Sequence, residues 1–306
     1  MTPDFQLTTP VAFIIFNRTN TTERVFAEIA KARPPKLLVV GDGPRTSRSG
    51  EAEKVAATRA IIKRVDWNCE VLTNFSEVNL GCKRRVSSGI DWVFEQVDKA
   101  IFLEDDCLPD PTFFRFCQEM LERYCHDQRI GMISGDNFQF GRCRNDDSYY
   151  FSKYVHVWGW ASWRDRWAGI YDVTIARWPR IRDEGWLGDM VGNRREAAYW
   201  HNIFERVHRG EIDSWAYQWL FANWVEGRMS ILPAVNMISN VGFEENATHT
   251  TGGSDLANLA RNPVGFPLMH PPGIFRNIQA DQFSERMCFR IPLTKRVRNK
   301  LVRWLR

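Results

Sequence analysis

The sequence predicts an α/β fold built on a doubly wound, Rossmann-like parallel sheet. Three observations carry this: short unbroken apolar runs at 11–16, 37–40 and 100–103, helical stretches between them, and polar clusters directly after each run. An apolar run without polar alternation marks a strand covered on both faces, which is what helices packed on either side of a parallel sheet produce.

The first run, Val11-Ala12-Phe13-Ile14-Ile15-Phe16, leads into Asn17-Arg18-Thr19. A helix is predicted over 22–31, with Val25, Phe26 and Ile29 on one face and Pro34-Pro35 as its stop. The strand at 37–40 ends in Gly41-Asp42-Gly43-Pro44, residues suited to a tight turn. A helix over 51–65, a short strand at 69–73 and a helix over 84–96 come next. The strand at 100–103 runs straight into Glu104-Asp105-Asp106, followed by a helix over 111–124 and a strand at 130–134. Ligands of such sheets bind beyond the carboxyl ends of the strands, so Asn17-Arg18, Asp42-Gly43 and the acidic triplet are expected to share one crevice.

After residue 135 the pattern changes. Ten Trp, from Trp158 to Trp224, crowd a stretch of mixed helix and loop, a strand is predicted at 232–239, and 248–272 reads as a loop region. No internal repeat or linker divides the chain. One domain over 1–290 is expected, with a nucleotide-binding half (1–135) and a Trp-rich acceptor half (136–290), followed by a basic amphipathic helix at 291–306.

Charge excludes one class. The net charge is +4, but the twelve residues from Lys295 to Arg306 hold six Lys/Arg and no acid, so the body is near neutral and no nucleic-acid partner is expected. Val297, Leu301, Trp304 and Leu305 share a helical face in that tail, which fits either an interfacial helix on anionic lipid or a helix docked on protein. Seven Cys without a C-x-x-C pair fit a reduced, cytoplasmic setting. Neither a signal peptide at Met1-Thr2-Pro3-Asp4-Phe5 nor a run of ~18–20 apolar residues is seen, so at most peripheral attachment to the inner face of a membrane is expected.

The acidic triplet carries the chemistry. Three adjacent carboxylates after a buried strand repel one another and lose hydration unless a cation joins them. A hard divalent ion bridging phosphates would do so, whereas a solvated acidic turn is the alternative. Ile101-Phe102-Leu103-Glu104-Asp105-Asp106-Cys107-Leu108-Pro109, then Phe113-Phe114-Arg115-Phe116, resembles the metal-binding segment of GT-A glycosyltransferases. Within that group it is most similar to N-acetylglucosaminyltransferase I and related bacterial sugar transferases. The likeness spans 11–135 and continues more loosely to about residue 250.

The resemblance implies a UDP-sugar donor, Mn or Mg on Asp106, and Glu104 and Asp105 against the sugar or ribose. Phe16-Asn17-Arg18 resembles the segment that contacts the nucleotide, and Asp42-Gly43 the turn whose carboxylate reads the uracil imide. Asn79-Leu80-Gly81-Cys82-Lys83-Arg84-Arg85 is similar to a segment whose helix supplies a basic diphosphate contact. His249 is a candidate second metal ligand or a plain surface-loop histidine. Gly159-Trp160-Ala161-Ser162-Trp163 reads as acceptor wall, with Trp160 at the donor, or as a structural Trp cluster.

The expected activity is inverting sugar transfer to a glycan or lipid-linked glycan, which needs a carboxylate base for the acceptor hydroxyl. In the resembled proteins that acid follows a Trp, but here Asp213-Ser214-Trp215-Ala216-Tyr217-Gln218-Trp219 puts Ala216 in its place. Three readings stay open: a substitution introduced to trap substrates, a naturally weak or silent relative, or a base supplied by Asp213. A nucleotidyltransferase is a further alternative, although the Gly-rich loop such enzymes carry after the first strand is replaced here by Asn17-Arg18-Thr19-Asn20.

Overall fold

The computed structural model describes residues 5–242, 256 and 258–289. The first half alternates as expected: β1 (Val11–Ile15), α1 (Thr19–Ala32), β2 (Lys36–Gly41), α2 (Glu51–Ala60), β3 (Glu70–Phe75), α3 (Gly81–Gln96) and β4 (Lys99–Glu104). Then come β5 (Cys107–Pro109), α4 (Thr112–Arg123) and β6 (Ile130–Ser134). The second half adds β7 (Tyr149–Ser152), β8 (Trp160–Trp163), α5 (Arg164–Trp167), α6 (Trp178–Asp183), α7 (Leu187–Val191) and α8 (Arg194–His208). It continues through α9 (Ala216–Val225), β9 (Met229–Pro233), β10 (Ile238–Asn240) and α10 (Ile278–Ser284).

Eight strands form one sheet in the order β3-β2-β1-β4-β8-β6-β9-β7. β1 pairs in parallel with β2 on one side (Val11 opposite Leu37) and with β4 on the other (Val11 opposite Ile101). The chain therefore winds outward from β1 to β3 and then returns to the other flank of β1. The C-terminal ends of β1 and β4 bound the crevice where the winding reverses, the place where sheets of this kind bind ligands.

Both faces of β1 are covered, which is why its five residues are all apolar. Val11, Phe13 and Ile15 pack with Val25, Phe26 and Ile29 of α1 and with Phe113, Phe116 and Met120 of α4. Ala12 and Ile14 face Val86, Ile90 and Val93 of α3, together with Trp160, Trp215 and Trp219. A third core joins α6 to α9 through Trp178, Trp200, Phe204, Phe221 and Trp224.

Four expectations need correction. The sheet is mixed rather than parallel throughout, because β8 is wedged antiparallel between β4 and β6 and β7 runs antiparallel to β9. The strand predicted at 232–239 is two elements: β9 ends at Pro233, and β10 leaves the main sheet to pair with β5. Asn236 turns the chain between them by donating to the Ile238 carbonyl. The helix predicted over 51–65 tightens into a 3₁₀ turn at Ile61–Arg64. α3 starts at Gly81 instead of Arg84, since Gly81 accepts a φ of 79° and Asp213 supplies acceptors for the first turn.

Among the described residues no helix is long and apolar enough to cross a membrane, and all seven cysteines are unpaired. The tail helix predicted at 291–306 lies outside the described residues, as do 243–247 and, of the predicted loop region, 248–255 and 257. Residues 258–272 form neither helix nor strand.

Candidate functional site

A cleft of about 470 Å³ opens at the C-terminal ends of β1, β2 and β4. Phe16 and Arg18 after β1, Asp42 after β2 and the triplet after β4 all line it. Of the clusters expected to share one crevice, Arg18, Asp42 and the triplet line this cleft while Asn17 and Gly43 do not, and elements from both halves of the chain close it.

The triplet is tied in from several directions. The Phe16 backbone N–H donates to Asp105 Oδ2 at 3.0 Å, and Trp215 Nε1 donates to Glu104 Oε1 at 3.3 Å. Arg18 pairs directly with Asp106 and lies 3.7 Å from Asp105. Just past the β5–β10 pairing, the Val241 N–H donates to the Asp106 carbonyl, 2.8 Å away. Next in the chain, Gly242 sits so close that a Cβ there would fall 2.2 Å from Asp106 Oδ2. Only glycine fits without displacing the carboxylate.

Burial dominates the electrostatics. It pushes the Glu104 carboxyl well above the usual carboxylate range, and repulsion from Asp106 and Asp105 adds to the effect. Asp105 is raised for the same reasons, burial first and Asp106 second, with Arg18 and the Phe16 N–H only partly offsetting them. Burial also works against the Arg18 cation, but the three acids more than compensate and its pKa rises. Among the described residues, three carboxylates therefore face one guanidinium.

Asp106 offers a hard carboxylate oxygen of the kind a divalent cation takes. Among the described residues no three His, Cys, Asp or Glu side chains close on a metal ion by themselves. A cation on Asp106 would need further oxygens from its ligand, and a diphosphate provides them.

Asp213 reaches the cleft from the turn before α9. Its carboxylate accepts from the backbone N–H groups of Cys82 (3.3 Å) and Lys83 (2.9 Å), the first turn of α3. An anion is favoured there by the helix dipole, and the two bonds leave lone pairs unused.

Other candidates are placed differently. Asp42 lines the cleft, but its carboxylate takes the N–H groups of Gly43, Leu80 and Gly81 and the Asn79 amide at 2.9–3.2 Å. Both oxygens are filled by the loop, so the uracil contact expected of Asp42 has no acceptor left to use. Gly43 is needed for close approach, as a Cβ would meet the Val78 backbone at 2.5 Å. Asn17 turns away and donates to Glu51 at 3.0 Å.

Of the expected basic contacts, only Arg85 lines the cleft. Arg85 reaches the wall, but its guanidinium is bound to the Gly41 carbonyl and to Asn74, and it braces the ends of β2 and β3. Lys83 contributes its backbone N–H, while Arg84 is exposed and outside the lining. Trp160 is no ligand contact: it is 1% exposed and stacks on Phe102 at 4.4 Å inside the second core. Ala216 opens α9, partly buried against that core and outside the lining. His249 lies outside the described residues.

The sequence reading missed Arg45, Asn79, Trp158, Ser214, Trp215 and Asn240 as lining residues. Arg45 follows the Gly-Pro turn after β2 and sits over the Phe16 ring at 5.5 Å. Its position at a strand end was the available signal. Trp158 and Trp215 could not be told from the structural tryptophans around them.

No protein-family model matches the chain, and no curated protein matches its sequence. Among solved structures it is similar to the mannosyltransferase PcManGT from Pyrobaculum calidifontis, determined in complex with GDP-Man and Mn2+. That likeness covers 74% of this chain and 70% of the other, at 11% identity and a TM-score of 0.40. A likeness of this size assigns neither family nor chemistry.

Proposed function

We propose that the chain is a GT-A-type glycosyltransferase that moves a sugar from a nucleoside diphosphate sugar to a glycan or lipid-linked glycan, with Mn or Mg on Asp106. One observation carries the reading: three carboxylates, two of them shifted by burial and mutual repulsion, meet a single arginine at the point where the sheet winding reverses. A dication with a diphosphate would complete that charge balance and supply the missing ligand oxygens. Bound there, the ion would neutralise charge on the departing diphosphate. Arg18, already at the acids, is placed to contact the donor phosphates or base.

Asp213 is the base we assign. The acceptor hydroxyl oxygen attacks the anomeric carbon, the bond from that carbon to the diphosphate breaks, and the hydroxyl proton passes to Asp213, giving inversion. What supports this is the position of Asp213 at the cleft with unused lone pairs, whereas Ala216 carries no group that takes a proton. Trp158 and Trp215 offer ring surfaces for a sugar. His249 remains a proposed second ligand. It is seven residues in sequence beyond Gly242, which abuts Asp106, and at up to about 3.6 Å per residue that length of chain is enough to span back to the site. With Asp42 occupied, Phe16, Arg45 and Asn79 are the groups beside it that line the space for the base.

The alternative of a silent sugar-nucleotide binder rests on Ala216. Calorimetry with UDP- and GDP-sugars, with and without Mn, and a transfer assay separate the two. Metal-dependent donor binding is expected, lost in Asp106→Asn together with about 10²–10³ in transfer rate. Asp213→Asn should keep donor binding and lose about 10²–10⁴ in rate. Absence of donor binding with metal present overturns the whole reading. A rate gain in Ala216→Asp with no loss in Asp213→Asn moves the base to position 216.

A further inference from the structure

A second cleft, of about 480 Å³, lies at the β7 edge of the sheet, four places from β4 in the strand order. The loop after β6, strand β7 and α10 with the turn that follows it form its walls. Arg142, Arg144 and Arg286 line it against a single acid, Asp147. The Arg142 guanidinium lies over the Phe283 ring at 4.5 Å, and Phe283 in turn meets Phe140.

The rim is unusually apolar. Nine large apolar side chains are exposed among the described residues, and five of them stand on the segments that border this cleft. Phe275 is 70% exposed and Ile278 55%, with Met269, Met287 and Phe140 completing the set. Isolated exposed apolar residues need no explanation, but Phe140, Ile278 and Met287 each adjoin in sequence a residue that lines this arginine-rich cleft, and such a grouping does.

We propose that this face docks on an anionic lipid bilayer, with the arginines meeting phosphate headgroups and the apolar rim entering the acyl boundary. The combination of cationic and apolar side chains on one face is what interfacial binding requires. Charge argues against a second copy of the chain, since a two-fold contact would set the arginine cluster against itself. Chain continuity argues for the membrane. Phe289, anchored on Trp200 at 5.0 Å, ends the described chain just past Arg286 and Met287. The basic stretch from Lys295 begins six residues later in the sequence, no more than about 20 Å of extended chain from Phe289.

The test is flotation of the full chain with phosphatidylcholine vesicles, with and without phosphatidylglycerol. Co-flotation is expected only with the anionic lipid and should weaken with salt. Each arginine neutralised should cost about fivefold in binding. Arg142→Glu combined with Arg286→Glu should therefore lose well over tenfold, and Phe275→Ser with Ile278→Ser should weaken binding independently. All four positions are exposed, so circular dichroism melting should be unchanged, and donor calorimetry should be unaffected, which keeps this outcome separate from the proposed reaction. Wild-type flotation by both double variants would overturn the proposal and leave the tail as the sole anchor. Absence of flotation overturns it too, as does a concentration-dependent dimer in sedimentation abolished by Phe275→Ser. Stronger flotation when Leu301→Ser and Trp304→Ser are introduced would support the proposal, since the lipid would then be held by the face and not by the tail.

Discussion

Two regions of this molecule bury charge, and they do it in opposite ways. In the helical half, Lys153 and Glu196 are 5% and 3% exposed, and the groups around them answer one another. Lys153 pairs with Glu196 and donates to the Val191 carbonyl at 2.9 Å. Glu196 also receives the Tyr154 hydroxyl at 2.6 Å and the Asn193 amide at 2.9 Å. At the strand ends, Glu104, Asp105 and Asp106 share one arginine, and burial lifts the first two out of the normal carboxylate range. The lesson is that depth alone does not mark a ligand site. A matched cluster is complete as folded, whereas an unmatched one calls for something from outside.

The comparison can be broken at its strongest point. Glu196→Ala strands the Lys153 cation in the interior and should cost about 3–5 kcal/mol of stability by denaturant titration. Asp105→Asn removes a repelling acid and should leave the melting temperature unchanged or raise it. Similar destabilisation by both would erase the distinction drawn here.

A smaller effect comes from His156, between the two regions. Burial lowers its pKa from 6.5 to about 3, and its Nε2 has no hydrogen-bond partner. The folded state thus keeps this ring neutral, while the unfolded chain takes up a proton below its own pKa of about 6.5. Its contribution to stability is present above pH 6.5 and is lost as pH falls toward 3. At pH 5 the loss is about 2 kcal/mol, and His156→Leu should remove that part of the pH dependence measured against wild type.

The smallest effect tests the link from the Trp-rich half to the acids. Trp215→Phe keeps the ring but deletes the donor to Glu104, which should cost about 1 kcal/mol. Donor binding by calorimetry should change more than it does for a Phe replacing Trp178, which belongs to the third core alone.

The legible parts of the sequence were those whose cause is local. The runs at 11–16, 37–40 and 100–103 announced strands because both their faces are covered, and the triplet was conspicuous because three adjacent carboxylates repel one another and lose hydration there. What was not legible depends on partners far along the chain. Asp42 and Arg85 carry the residue types of a ligand site, yet Asp42 is consumed by backbone N–H groups at the start of α3 and Arg85 by carbonyls at the ends of β2 and β3. Asp213 meets α3 across 130 positions. Trp160 and Trp215 sit in one aromatic group with rings 5.5 Å apart, and only the second borders the cleft. No local pattern separates them.

The antiparallel wedge of β8 has a consequence for assembly. Its hydrogen-bonding neighbours, β4 and β6, both precede it in the chain, so neither can complete its ladder until residues 160–163 slot between them. Until then the emerging polypeptide presents two bare sheet edges, and a fragment cut near residue 135 would keep them permanently. Such edges invite association with other chains. The first half and the tryptophan-rich half therefore share one sheet as well as one cleft, and a cut between them should leave neither complete.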